Sequence, residues 1–145
     1  MADLMYRFGH IGINRENGEA AKAFAQQLQS MFGFPAFDTG GAIFVQGSFE
    51  VMKENGRGAH GHIAIETDDL IAAMADMGKK GVMLDMESLR SGPDGEPISV
   101  YLTREIGGFA VHLLRRPTQG GKGDPASKDA SASDENSDEK ILDEK

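Results

Sequence analysis

The 145-residue chain, with 39% hydrophobic residues, is long enough for one compact domain and too short for two large ones. It contains no Cys, which excludes disulfides, thiol nucleophiles and Cys-based zinc sites, so a metal could be held only by His and carboxylate side chains. The net charge of -8 is divided between residues 1–116, with 11 basic and 15 acidic residues, and residues 117–145, with 4 and 8. Because the basic residues do not cluster, we expect neither a nucleic acid nor a membrane as partner.

The sequence shows no sign of membrane insertion. No apolar run approaches the roughly 20 residues that span a bilayer, and the N-terminal segment MADLMYRF lacks the basic and apolar pattern of a signal peptide. We therefore expect a soluble, cytoplasmic protein.

The first predicted strand is the segment MYRFGHIGIN, residues 5–14. Its alternation places Ile11 and Ile13 on one face and His10, with Phe8 and Gly12, on the other. A strand that is apolar on one side must bury that side against another layer. His10 therefore points away from the expected core.

A helix and three short strands are predicted next. Asn17 and Gly18 interrupt the first strand, and from Glu19 apolar residues recur every three or four positions until Gly33, which suits a helix end. The short strands are expected at 35–39, 42–46 and 48–53. In the last of these, Glu50 lies on the face opposite Phe49 and Val51.

The motif G-H-I-x-I at residues 9–13 returns at residues 61–65, where His62 takes the place of His10. Thr67 or Asp68 is expected to cap a second helix, which ends at Gly81. The remaining prediction is a short strand at 82–86, a turn-rich loop at 88–97, a strand at 98–104 and a last strand in FAVHLLRR at 109–116. In the last two strands, Tyr101 and His112 lie opposite the apolar faces.

This duplication predicts an α+β fold built from two βαβββ modules, at about 5–53 and 60–116. Related by a pseudo-two-fold axis, the modules would form one curved mixed sheet, a half-barrel trough with the helices outside, in a domain of residues 1–116. Residues 117–145 are rich in Gly, Ser, Asp, Glu and Lys, and we expect a disordered acidic tail.

Four potential metal ligands occupy related places in the two modules: His10, Glu50, His62 and His112. Each lies on the strand face away from the helices, so the trough would bring them together. Three imidazoles and one carboxylate suit a divalent ion such as Zn, Ni, Co, Mn or Fe. Taken singly, a strand His or Glu is more often solvated or hydrogen-bonded than a ligand, and the hypothesis depends on the coincidence of all four.

Other polar residues have two interpretations each. Tyr101 faces the same trough and would contact substrate there, or is a packed aromatic residue. His60 is a substitute or supporting ligand, or an exposed loop residue. Arg115 and Arg116 would bind an anionic group, or are solvated at the strand end.

Beyond these residue-level inferences, the chain resembles the vicinal oxygen chelate superfamily, which includes glyoxalase I, methylmalonyl-CoA epimerase, extradiol dioxygenases and fosfomycin-resistance proteins. The resemblance covers about residues 5–116, and the segments GHIGIN, GHIAIET and YLTREIGGFAVHLLRR are similar to a glyoxalase-like domain associated with 2-dehydro-3-deoxyphosphogluconate aldolases. It implies that the four residues named above are metal ligands. His112 departs from the pattern, because most relatives have Glu there.

The resemblance implies a metal-dependent glyoxalase-like lyase or isomerase that acts on a small 2-oxo or 2-hydroxy acid, or on a sugar-acid derivative, through vicinal oxygens. Glu50 would be the catalytic carboxylate, since the second one of the family is missing. The alternatives are a non-catalytic metal-binding or ligand-binding accessory module of sugar-acid metabolism, and an iron-dependent dioxygenase. The family forms its site either within one chain or between two. Independently of the resemblance, the apolar edges of small sheets favour a homodimer.

Overall fold

The computed structural model describes residues 4–116, and two copies of a βαβββ unit fill this part of the chain. Residues 117–145, for which a disordered acidic tail was predicted, lie outside the described residues. The first unit consists of β1 (Arg7–Ile13), α1 (Gly18–Phe32), β2 (Ala36–Asp38), β3 (Ala42–Val45) and β4 (Phe49–Met52). The second consists of β5 (Gly61–Thr67), α2 (Leu70–Lys79), β6 (Leu84–Ser91), β7 (Pro97–Leu102) and β8 (Phe109–Arg115).

The eight strands form one mixed sheet in the order β2-β3-β4-β1-β5-β8-β7-β6. The two units meet where β1 pairs antiparallel with β5, and each of these strands pairs in parallel with the last strand of its own unit. The order is thus the same on both sides of the central pair, and the described sheet does not close into a barrel. The predicted α+β fold with two related modules is confirmed.

Each helix covers its own half of the sheet. Small residues on α1, Ala21 and Ala25, allow close packing on β3 and β4, where Ile43, Val45 and Val51 are fully buried. In the second half Leu70 and Ala73 of α2 pack against the central residues of β7 and β8. Because the apolar side chains of the sheet pack against the helices, the polar side chains lie on the opposite face.

The helix caps explain where both helices begin. Asn17 accepts a hydrogen bond from the backbone N–H of Ala20 at 2.8 Å, and Asp69 accepts one from Ala72 at 2.9 Å. The prediction that Thr67 or Asp68 caps α2 was therefore wrong, because β5 continues to Thr67 and the first free helical N–H groups face Asp69.

Two further details differ from the sequence-based prediction. The segment expected to be a loop at 88–97 begins as strand, since β6 extends to Ser91 and pairs irregularly with β7. In β1 the register shifts between Phe8 and His10. Phe8 therefore pairs with Ile65 and shares its face of the sheet, not the face of His10. This irregularity is a bulge at Gly9, which changes which face each residue occupies.

Among residues 4–116, neither helix is long and apolar enough to cross a membrane.

We expect Asp69→Ala to lower the free energy of unfolding by about 1 kcal/mol, because it removes the side-chain acceptor at the start of α2. Urea unfolding followed by circular dichroism measures this change. The matched control is Glu87→Ala, which removes an exposed acidic residue that caps no helix. It should change the free energy of unfolding by less than about 0.5 kcal/mol. Equal stability of the two variants would contradict the capping role.

Candidate metal centre

The four predicted ligands lie on four adjacent strands at the centre of the sheet. In the pairing of β1 with its neighbours, Gly12 stands between Glu50 of β4 and His62 of β5. One step along the sheet, Ala64 of β5 stands between His10 and His112. All four side chains line one cavity on the face away from the helices, and all belong to the same chain.

Three donor atoms form a small triangle. The Nε2 atoms of His10 and His62 lie 3.3 Å apart, and Oε1 of Glu50 lies 3.2 Å from the first and 3.0 Å from the second. An ionised carboxylate oxygen accepts hydrogen bonds, so it can receive one from each ring when both Nε2 atoms are protonated. The three atoms therefore converge on a common point.

His112 completes the cluster. Its ring centroid lies 5.9 Å from that of His10 and 5.5 Å from that of His62, and each of the three rings offers a nitrogen within 4.8 Å of the others. Both ring nitrogens of His112 are buried and form no hydrogen bond with the described residues. A buried polar atom without a partner is costly, and a metal bond is one way of using such a nitrogen.

The donor set fits a divalent transition metal. Bonds of about 2.0–2.2 Å at octahedral or tetrahedral angles place neighbouring ligand atoms roughly 2.8–3.6 Å apart, a range that includes the three separations in the triangle. The set has no thiolate and contains mostly imidazole, which suits Zn, Ni, Co and Fe, while the carboxylate also suits Mn.

Electrostatics favours deprotonated donors at two of the four positions. Burial opposes ionisation of Glu50, but hydrogen bonds and positive charge from His10 and His62 outweigh it and lower the pKa of its carboxyl group from 4.5 to about 2. Burial, together with the charges of His62 and His10, lowers the pKa of His112 from 6.5 to about 3. At neutral pH, Glu50 is ionised and His112 is neutral, which are the states that bind metals.

Gly12 makes room for the His62 ring, a role that sequence analysis did not assign to it. A Cβ atom at Gly12 would lie 2.0 Å from Cε1 of His62, far inside van der Waals contact. The second copy of the motif has Ala64 at the corresponding place. This difference between Gly and Ala in otherwise similar motifs was visible in the sequence, but its meaning required the pairing of β1 with β5.

Tyr101 lies where the sequence predicted it, in the trough beside the cluster. Its ring stacks on that of His112 with centroids 4.6 Å apart and an angle of 16° between the planes. The guanidinium carbon of Arg57 lies 4.3 Å from the centre of the Tyr101 ring. Burial raises the pKa of the phenol, although Arg57 acts in the opposite direction, so the hydroxyl stays protonated at neutral pH.

The cavity around the cluster has a volume of about 630 Å³, and charged residues other than Glu50 line it. Glu66 lines it, four residues after His62 on β5, and its Oε2 atom lies 3.4 Å from Nε of Arg116. Glu66 is therefore a second carboxylate in the cavity, outside the triangle of donor atoms. The strand parity that Glu66 shares with His62 was the signal for it.

The remaining candidates divide between the cavity and its surroundings. Arg116 lines the cavity, paired with Glu66, whereas Arg115 and His60 do not contribute to its wall. His60 is exposed at the start of the second motif, and its ring lies 5.7 Å from that of Phe109. These positions support the loop interpretation of His60 and exclude it from the cluster.

Comparison with known proteins identifies one group repeatedly. No protein-family model matches the chain. The human protein named mitochondrial methylmalonyl-CoA epimerase is 32% identical over 62 residues, which are 43% of this chain and 35% of that protein. The match thus spans about a third of the length of this curated relative.

Solved structures of the same name share the fold. A single-residue variant of Streptomyces coelicolor methylmalonyl-CoA epimerase, in complex with 2-nitronate-propionyl-CoA, is 22% identical with a TM-score of 0.53, covering 75% of this chain and 96% of that one. A selenomethionine form of a methylmalonyl-CoA epimerase is 18% identical with a TM-score of 0.55, covering 81% and 99%. These likenesses confirm the fold that the superfamily resemblance predicted.

We expect Gly12→Ala to displace the His62 ring and to lower the free energy of unfolding by about 1–3 kcal/mol, because the added methyl group overlaps the ring. Urea unfolding measures the stability, and the NMR signals of the His62 ring report its displacement.

The control for this prediction is Gly78→Ala, since no atom lies within 4 Å of a Cβ at that helical position. Replacing a helical Gly by Ala should raise stability by up to about 1 kcal/mol. If Gly12→Ala is as stable as Gly78→Ala and leaves the His62 signals in place, the assigned role of Gly12 is wrong.

Proposed function

We propose that this chain, which has the vicinal oxygen chelate fold, is a metal-dependent isomerase or lyase of the glyoxalase-like type. Its substrate would be a small 2-oxo or 2-hydroxy acid, or a sugar-acid derivative, bound through vicinal oxygens. The observation that supports the proposal most strongly is the triangle of His10, His62 and Glu50 donor atoms, with sides of 3.0–3.3 Å, in a cavity that can hold a small molecule.

His10, Glu50, His62 and His112 would hold the metal ion. When bound, a divalent ion supplies a Lewis acid that stabilises negative charge on substrate oxygens. We leave its identity open among Zn, Ni, Co, Mn and Fe. The ionised carboxylate and the neutral, buried imidazole of His112 support this ligand set, because neither has to lose a proton at neutral pH.

Glu50 is our candidate for moving a proton next to the substrate carbonyl group. Its Oε1 atom is used by both imidazoles, while its Oε2 atom forms no hydrogen bond with the described residues. Oε2 is thus the oxygen left for substrate. A general base contributes to catalysis only within hydrogen-bond reach of the proton it removes, and no other carboxylate belongs to the donor triangle.

Tyr101 is proposed to bind the substrate. Its phenol is protonated at neutral pH and lines the cavity next to His112, so its hydroxyl group can donate a hydrogen bond to a substrate oxygen. The stacking of its ring on His112 also holds that imidazole in place. Tyr101 would therefore both orient substrate and position a ligand.

Within this proposal, the relatives favour the isomerase over the lyase. The human and Streptomyces proteins are named as epimerases, and epimerisation is an isomerisation. Their names also add methylmalonyl-CoA to the substrates worth testing. A homodimer and a cytoplasmic location complete the proposal, although the human relative is named mitochondrial.

We expect protein purified without a His-tag to contain about one divalent metal ion per chain, measured by inductively coupled plasma mass spectrometry. His62→Ala should reduce metal affinity at least about tenfold, because it removes a donor and leaves its partners unpaired. His60→Ala removes an imidazole outside the cavity and serves as control. Absence of stoichiometric metal, or unchanged affinity in His62→Ala, would favour the accessory module instead.

A second test measures proton movement directly. Metal-loaded protein in D₂O should exchange the hydrogen next to the carbonyl group in at least one member of a panel of 2-oxo acids, hemithioacetals and methylmalonyl-CoA, observed by proton NMR. Glu50→Gln, compared at equal metal occupancy, should lower kcat for exchange about 100-fold or more. Glu54→Gln, in the exposed loop after β4, should retain activity.

The outcomes separate the candidate functions. Zero exchange across the panel, with metal bound, would support a non-catalytic ligand-binding module. Bound iron together with oxygen uptake would support the dioxygenase. Full activity of Glu50→Gln at equal metal occupancy would remove Glu50 from its proposed role as base.

A further inference from the structure

A second row of side chains, three of them polar, crosses the cavity beside the ligand cluster. In the register of the sheet, Arg90 of β6 lies opposite Ser99 of β7, Ser99 lies opposite Leu114 of β8, and Leu114 lies beside Glu66 of β5. All four residues line the cavity. The row thus extends across the second module from the sheet edge towards its centre.

This row is displaced by two residues along the strands from His10 and His112, the nearer pair of proposed ligands. Tyr101, His112, Ala64 and His10 form the neighbouring row in the same register. Two residues of a strand span about 7 Å. A molecule of a few carbon atoms that binds at the cluster can therefore reach the second row.

The charges in the second row are not balanced. Arg116 is neutralised by Glu66, at 3.4 Å, and Arg57, beside the Tyr101 ring, pairs with Asp85, at 3.5 Å. Arg90 forms no ion pair or hydrogen bond with the residues described between 4 and 116.

Ser99, the partner of Arg90 in the sheet register, adds an unused hydroxyl group to the cavity wall. The residue is buried, with 6% of its surface exposed, and its hydroxyl forms no hydrogen bond within the described part of the chain. Ser88, in contrast, donates to the carbonyl oxygen of Asp85 and accepts from the N–H of Tyr101. A free hydroxyl beside an unpaired guanidinium is a donor pair suited to an anion.

We propose that Arg90 and Ser99 form an anion subsite, and that the substrate carries a second anionic group, a carboxylate or a phosphate, about 7 Å from its chelating oxygens. The inference rests on the proposed function, since it takes the cluster as the place where those oxygens bind. It narrows the substrate class to acids with a charge at both ends. It also assigns a specificity role to a residue outside the ligand cluster.

The test uses the full chain loaded with Zn²⁺ and three probes, with binding measured by isothermal titration calorimetry. Pyruvate has the 2-oxo acid end alone, 2-oxoglutarate adds a distal carboxylate, and 3-phosphoglycerate is a 2-hydroxy acid with a distal phosphate. Both doubly charged probes should bind at least about tenfold more tightly than pyruvate, because charge-assisted hydrogen bonds are strong. The better of the two identifies the anion.

Arg90→Met should remove the tighter binding of the two doubly charged probes and leave the affinity for pyruvate unchanged. Ser99→Ala should weaken the binding of the doubly charged probes in part. Arg104→Met removes an exposed arginine that does not line the cavity and should behave like the unmodified chain. Arg90 is exposed at an edge strand, so its substitution should leave the midpoint of urea unfolding unchanged.

Failure of this inference is distinguishable from failure of the proposed function. If all three probes bind equally and only with Zn²⁺, or if Arg90→Met retains the preference, the anion subsite is wrong and the metal centre stands. If the chain takes up none of Zn²⁺, Ni²⁺, Co²⁺, Mn²⁺ and Fe²⁺, the proposed function is wrong, and NMR of the metal-free chain still decides the subsite. In that experiment 2-oxoglutarate should shift the amide signals of Arg90 and Ser99 in the unmodified chain, and the absence of such shifts overturns the inference.

Discussion

The antiparallel pairing of β1 with β5 is the constraint on which the site depends. It places the His10 and His62 rings in contact at the centre of the sheet, with Nε2 atoms 3.3 Å apart. A slip of one residue would turn the side chains of a strand to the other face, so the register must be fixed. Gly61 permits this register, because a Cβ there would lie 1.8 Å from the carbonyl oxygen of Gly12.

The part of the site that followed from the sequence is the part that depends on strand parity. Side chains alternate along any strand, so the pattern alone indicated that Glu50 lies away from Val51, and that His62 lies away from Ile63. The duplication then indicated the fold. The separations between ligands depend on which strands are neighbours and in which register, and these are set by long-range pairing that no local pattern contains.

The misses have physical reasons as well. The bulge at Gly9 inserts a residue locally, so parity counted from Phe8 leads to the wrong face for that residue. The turn residues after Ser91 made the end of β6 resemble a loop. For this reason Arg90 was not predicted to line the trough. The cap of α2 shifted to Asp69 because pairing with β8 extends β5 to Thr67.

The two halves of the sheet have the same strand order, but their central motifs differ by one methyl group, which Ala64 has and Gly12 lacks. Where β5 carries the methyl group of Ala64, fully buried between its neighbours, β1 must carry a hydrogen at Gly12 to leave space for an imidazole. Exchange of the two central segments would therefore preserve every strand and helix signal while filling the volume that one ring requires. The backbone thus keeps the two-fold pattern of strands, while the cavity is asymmetric.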